Sequence, residues 1–290
     1  MQFFPTIFVR RHSARNPIYP TRSSVRLAMI LACLVGGIAM VTLPAAEPAG
    51  PDAAAKLPAP TRLELETGDR RELATWYYPV RDGATPLATV LLLHGLGGSH
   101  ESVEPLAVAL QAAGCTVVAP DLRGHGESIE PELDRASGSR APSELLKSKD
   151  FLAMVATGGS RVRDQASLRG DIETVRKWIK ERSTSGSGVD LDRLYIVGSG
   201  LGAALAAHWT VADAAWPPIT SGPQGGDVKG LVLIEPTFVI KGFPVLPALS
   251  QEPVKTKIPI MVIAGPKGRD ADKVFDQLKR WRPDDWFDSR

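Results

Sequence analysis

The side chains able to do nucleophilic or acid–base chemistry are few and widely spaced. The chain of 290 residues holds five histidines, His12, His94, His100, His125 and His208, with none beyond position 208. Ser199 stands in a glycine-rich run, Gly198-Ser199-Gly200-Leu201-Gly202, and two carboxylates, Glu235 and Asp270, follow long apolar runs. A hydroxyl, an imidazole and a carboxylate brought to one point carry acyl transfer, because the imidazole takes the hydroxyl proton and the carboxylate orients the imidazole. Other chemistries lack their residues. H-x-H, H-E-x-x-H and C-x-x-C spacings are missing, so no metal site is expected. G-x-x-x-x-G-K-[ST] is also missing, and Gly198-x-Gly200 is only a fragment of a dinucleotide fingerprint, so no cofactor is expected.

The elements that must position these groups alternate. Short extended segments are expected at Thr61–Leu65 and Glu72–Tyr78. Continuous apolar runs at 88–95, 116–120, 194–198, 231–236 and 258–265 read as strands buried on both faces. Between them, helical spacing marks 103–113, with Leu106, Ala109, Leu110 and Ala113 on one face. It also marks 169–182, with Ile172, Val175, Trp178 and Ile179 on one stripe, an Ala-rich 201–211, and 272–282. Residues 129–165 are polar and broken by Pro and Gly, with one short amphipathic piece at 144–155, and read as a cap-like insertion. Strands alternating with helices predict an α/β fold, a predominantly parallel sheet flanked by helices. In such sheets the ligand lies beyond the carboxyl ends of the strands, which selects the loops 94–100, 121–128, 199–202, 235–238 and 265–270.

Those loops carry a recognisable set. LLLHGLGGSHES (91–102) resembles the His-Gly oxyanion loop of α/β-hydrolases, and APDLRGHGES (119–128) resembles the D-x-R-G-H-G-x-S turn of their lipase, esterase and serine-aminopeptidase-like branch. IVGSGLGAALA (196–206) resembles the strand–turn–helix that bears the nucleophile, and IPIMVIAGPKGRD (258–270) the strand and loop that bear the acid. The resemblance covers about residues 61–282. It implies an α/β-hydrolase fold whose last strand is missing from the end of the chain, and a pocket lined by His94, Leu96, Leu201 and Glu235, with the Leu96 and Leu201 N–H groups as its anion-binding donors.

The catalytic stations of that resemblance are degenerate. A nucleophile elbow reads small-x-nucleophile-x-small; Gly198 and Gly202 take the small positions, which puts Gly200 at the nucleophile. Ser199 is one residue early. The acid position falls on Gly268, with Asp270 two residues late and Glu235 available from the preceding strand. The base, which the family takes from a loop after the last strand, has no histidine to fill it. Two expectations follow: a non-catalytic binding or scaffold domain for a small acyl or carboxylate ligand, or a weak, unorthodox serine hydrolase that uses Ser199 assisted by Glu235 or Asp270. His94, His125 and His208 are expected to do structural work.

Composition bounds the rest. Apolar residues make up 43% and charged residues 23%, ordinary for a globular protein. The five arginines of residues 1–49 against one acid, Glu47, give that stretch +4, so a total of +2 leaves the remaining residues at −2. Nucleic acid is not an expected partner. Residues 27–43 are apolar and uncharged, and the basic flank before them points to an export signal, either cleaved or retained as an anchor, with the folded domain outside the cytoplasm and a flexible Ala/Pro tether at 50–60. Cys33 lies in that apolar run and Cys115 at a strand start, where burial as a small apolar residue is expected. A sheet lacking its last strand would also expose an edge open to strand pairing by a partner or a second copy.

Overall fold

Runs made wholly of apolar residues can only be satisfied between two layers of helices, and this chain places five of them at the centre of its sheet. A computed structural model describes residues 6–10, 57–158, 169–216, 220, 225–265, 267–283 and 286–288. The strands are β1 (Thr6–Arg10), β2 (Thr61–Glu66), β3 (Glu72–Tyr78), β4 (Thr89–Leu93), β5 (Thr116–Pro120), β6 (Leu194–Ser199), β7 (Val228–Ile234), β8 (Val239–Ile240), β9 (Phe243–Pro244), β10 (Ile260–Ala264) and β11 (Trp286–Asp288). The helices are α1 (His100–Ala112), α2 (Pro131–Ser137), α3 (Ser148–Met154), α4 (Asp171–Thr184), α5 (Leu201–Ala214), α6 (Leu246–Leu249) and α7 (Arg269–Trp281). Nine strands form one sheet in the order β11-β1-β10-β7-β6-β4-β5-β3-β2. Only β3 with β5 and β2 with β3 pair antiparallel; the other pairings are parallel.

The side-chain period of two divides the core. Leu91, Leu93, Ile196, Leu231, Leu233 and Val262 face α4, α5 and α7, while Val90, Leu92, Val117, Ala119, Val197, Val232 and Met261 belong to the face that α1 covers. Cys115 is buried and unpaired, as expected. Register aligns the carboxyl ends, with Leu93 opposite Gly198 and Ser199 opposite Ile234, so the chemistry-bearing loops share one edge.

Several expectations are corrected. The buried face of α1 is Val103, Ala107, Leu110 and Gln111, because the helix lays the side centred on Ala107 against the sheet residues Val90, Leu92 and Val117; Leu106 and Ala109 are only partly buried. In α4 the stripe holds at Ile172, Val175 and Ile179, with Trp178 at its margin against Tyr77. The cap-like insertion carries α2, a 3₁₀ turn at Pro142–Leu145 and α3. The hairpin β8–β9 has no sequence signal beyond Lys241-Gly242 at its tip. The expected lack of a last strand is corrected: β1 lies beside β10 from the amino end, with Ile7 opposite Met261 and Arg10 opposite Ala264, and a short strand after the last helix, β11, pairs on its outer side. The edge expected at β10 is therefore covered, and the sheet's boundary on that side moves out to β11. The apolar run 27–43 and the tether up to residue 56 lie outside the described residues.

Candidate functional site

The elbow is built as its glycines require. A Cβ on Gly198 would overlap the backbone of Gly202, and a Cβ on Gly202 would overlap Leu93 and His94 carbonyls, so β6 and α5 pack backbone to backbone at this crossing. Between them Gly200 has φ +52° and ψ −108°, a strained conformation open mainly to glycine, at the N-cap of α5. The Gly200 N–H donates to the Ile234 carbonyl at 3.0 Å. Leu201 opens the helix, so its N–H has no intrahelical acceptor. A Cβ on Gly200 would meet only the Gly95 Cα, at 3.8 Å, so the space beside this turn is open.

Ser199 ends β6, half-buried, and by strand alternation shares the face of Val197. Its Oγ lies 4.0 Å from where a Cβ on Gly95 would sit. It makes no hydrogen bond to a histidine or carboxylate among the described residues. The structure thus brings Ser199 beside the 94–100 loop.

Each of the four described histidines makes a hydrogen bond to a group other than Ser199. His94 is fully buried; its Nδ1–H donates to the Gly95 carbonyl at 2.8 Å and its Nε2 accepts from the Leu122 N–H at 3.0 Å. Burial pulls its pKa down to about 4, which keeps the ring neutral at neutral pH. His125 is buried 4.9 Å from it, donates from Nδ1 to the Arg123 carbonyl at 3.0 Å, and is likewise lowered by burial. His208 on α5 meets the Pro244 carbonyl through Nε2 at 2.8 Å and packs on Phe243, tying the β8–β9 hairpin to the helix. His100 opens α1, where the fully buried Asp121 accepts from both its N–H, at 2.5 Å, and its Nδ1, at 3.1 Å, while also taking the Glu127 N–H at 2.8 Å.

At the acid station Gly268 has the role of spacer. Glu235 follows β7 with φ +45°, and its Oε1 accepts from the Gly265 N–H. A Cβ at residue 265 would fall 2.6 Å from Oε1 and one at residue 268 would fall 2.5 Å from Oε2, so the Glu235 carboxylate occupies the space that a side chain at 268 would need. Asp270 instead accepts from the Phe238 N–H at 3.1 Å and from Lys273 at 3.1 Å, and the Phe238 hydrogen bond leads the causes that hold its pKa low.

One participant gave no sequence signal. The ammonium of Lys241, at the hairpin tip, donates to the carbonyls of Ser143, Glu144 and Leu146 at 3.0, 2.7 and 3.3 Å, fastening the hairpin to the insertion. The buried Ser143 brings its Oγ within 3.9 Å of a Cβ position on Gly97, so this joint roofs the oxyanion loop. Among the described residues no group of three or more His, Cys, Asp or Glu could hold a metal ion.

An Alpha/beta hydrolase family model matches residues 90–290. The chain belongs to the alpha/beta hydrolase family. A protein of Mycobacterium tuberculosis of no described function is 27% identical over 231 residues, 78% of this chain and 68% of that protein. A thermostable monoacylglycerol lipase of a Bacillus species is 46% identical over 66 residues, 21% of this chain and 26% of the lipase. Among solved structures, an esterase of Pyrococcus furiosus superposes with a TM-score of 0.51 at 16% identity, covering 87% of this chain and 89% of the esterase. A puromycin hydrolase S511A mutant superposes at 0.52 and 14% identity, covering 85% of this chain and 37% of the hydrolase. The chain spans about half the length of several further solved relatives, 45–47% of each. These likenesses describe the fold of this family member, and what it does rests on its own site.

Proposed function

We infer that this alpha/beta hydrolase family member binds a small acyl or carboxylate ligand at the vacated catalytic site and does not turn it over by the serine route. The observation that supports the reading is Gly200: the strained turn and the following helix are in place, and the residue at their junction has no atom with which to attack. An oxyanion hole is main chain, so the N–H groups of Leu96 and Leu201 survive that loss. Removing one triad member from a serine hydrolase lowers turnover by roughly 10⁴ to 10⁶, with a residual ~10³ to 10⁴ over water from binding and the oxyanion hole.

The test is p-nitrophenyl acetate and butyrate hydrolysis by the full chain and by Ser199→Ala, with a fluorophosphonate probe. Binding without turnover predicts no labelling and the same trace rate in both proteins. Labelling that vanishes in Ser199→Ala would overturn it in favour of a displaced nucleophile.

We further propose that the folded domain lies outside the cytoplasm. The support is the uncharged run 27–43 behind five arginines. Translocation and the pairing of β1 exclude one another in one molecule, because a chain with 27–43 in the membrane keeps residues 6–10 on the opposite side from the sheet. Removal or translocation of that segment would reopen the β10 edge to a strand-pairing partner or second copy. Amino-terminal sequencing and fractionation of the mature protein test this, and a cytoplasmic chain with an intact start would refute it.

A further inference from the structure

Glu235 is one of only three non-glycine described residues with positive φ, so its backbone is held in a conformation that its side chain disfavours. Around it the sequence has given up side chains: Gly265 and Gly268 both leave open the space the carboxylate fills. One carboxylate oxygen, Oε1, takes the Gly265 N–H. The other, Oε2, has no donor among the described residues, and neither Lys267 nor Arg269, its neighbours in the same loop, forms an ion pair with it. Glu235 is exposed, and its own strand end touches the elbow, because the Gly200 N–H bonds to the carbonyl of Ile234. In a working triad the oxygen in this position accepts from an imidazole N–H. Here the ring nitrogens of His94 both face other partners, His125 is buried behind the Arg123 carbonyl, and His208 holds the hairpin.

We propose that Glu235 is a ligand-binding carboxylate that takes the protonated amine of the ligand, in the place where the family has its histidine. The proposal rests on the binding reading above and narrows its ligand class. The ligand carries a carboxylate or acyl oxygen for the Leu96 and Leu201 N–H groups, and an ammonium for Glu235 Oε2. An aliphatic amino acid or aminoacyl compound has that pair of groups; a simple fatty acid has only the first. Charge-assisted hydrogen bonds are the stronger class, so the ammonium should dominate discrimination between the two.

The experiment is calorimetric titration of the full chain with butyrate, 4-aminobutyrate, 6-aminohexanoate and butylamine. The expected result is that at least one of the two amino acids binds about tenfold or more tightly than butyrate, which is the 1.4 kcal/mol of one decade. Glu235→Gln should abolish that preference. Gly268→Ala is the second variant: residue 268 has φ −74°, so alanine is tolerated by the backbone, and its Cβ pushes the carboxylate aside without removing it. It should also lose the preference. Equal affinity for butyrate and both amino acids, or a preference that persists in both variants, overturns the proposal and leaves a plain carboxylate site standing. Failure of all four compounds to bind overturns both readings.

Discussion

The two halves of the site have kept different things. On the β4–α1–β5 side, polar groups are joined by buried hydrogen bonds: His94 bridges Gly95 and Leu122, Asp121 gathers His100 and Glu127, and the Arg123 guanidinium lies between Asp171 at 2.5 Å and Asp69 at 2.9 Å. On the β6–β7–β10 side, the matching loop positions are glycines, a half-buried serine, and a glutamate with positive φ whose Oε2 has no donor among the described residues. The first half holds loops to the sheet, so its residues are needed whether or not anything reacts. The second half is shaped by its turns: Gly200 has φ +52° at the N-cap of α5, a conformation that glycine adopts with the least strain.

The largest effect should come from breaking the first half. Arg123→Met leaves Asp171 buried and unpaired, and chemical denaturation should show a loss of roughly 3–5 kcal/mol. A loss below about 1 kcal/mol, the scale of an exposed pair, would mean this half is not what secures the loops.

Next is a buried acid outside both halves. Glu173 on α4 is 3% exposed, and burial raises its pKa from 4.5 to about 7 against the opposing pull of Arg176. The folded protein therefore holds this proton more tightly than the unfolded chain, and stability should fall as pH rises from about 4.5 to 7. Glu173→Gln removes that dependence, so its stability relative to the wild type should grow across the same window by on the order of 2–3 kcal/mol. Parallel stability curves from pH 4.5 to 8 would refute the assignment. Asp213, raised to about 6 first by burial and then by Asp227, adds a slope of the same sign that both proteins share.

Smaller again is Gly200→Ser. The pocket has room for the side chain, so the cost should be the backbone strain, roughly 1–3 kcal/mol by thermal melting. Fluorophosphonate labelling should stay absent, because a serine without a base is a poor nucleophile. Strong labelling would reduce the difference between the halves to a single residue. The smallest effect belongs to Ser199→Ala, a half-buried hydroxyl with no hydrogen-bond partner among the described residues. Its stability should change by less than about 0.5 kcal/mol.

Much of this was legible in the residues. Apolar runs such as TVLLL and TVVAP could only be central strands, since no half-exposed position in them would tolerate such composition. Gly198 and Gly202 marked the tight turn between β6 and α5, because glycine at fixed spacing states a backbone requirement that does not depend on distant residues. The short pieces were less legible. The hairpin β8–β9 pairs only two residues on each side, and the Lys241 joint is made to the carbonyls of Ser143, Glu144 and Leu146, about a hundred residues away; carbonyls leave no mark on a sequence. The start of α1 was misplaced for the same kind of reason: its first N–H is held by Asp121 across the sheet.

By itself, then, the sequence determined the alternating fold, the shared edge of the chemistry-bearing loops and the tight turn at Gly198–Gly202, all of which follow from periodicity and from what glycine lacks. Only the tertiary structure decided where Glu235 goes. Along the chain it is a carboxylate at a strand end, 33 residues before the glycine whose place it fills. In space, parallel pairing of β7 with β10 sets the two strand ends side by side, and the missing Cβ atoms of Gly265 and Gly268 let the carboxylate in. Register and steric exclusion between neighbouring strands are long-range facts, and no local pattern encodes them.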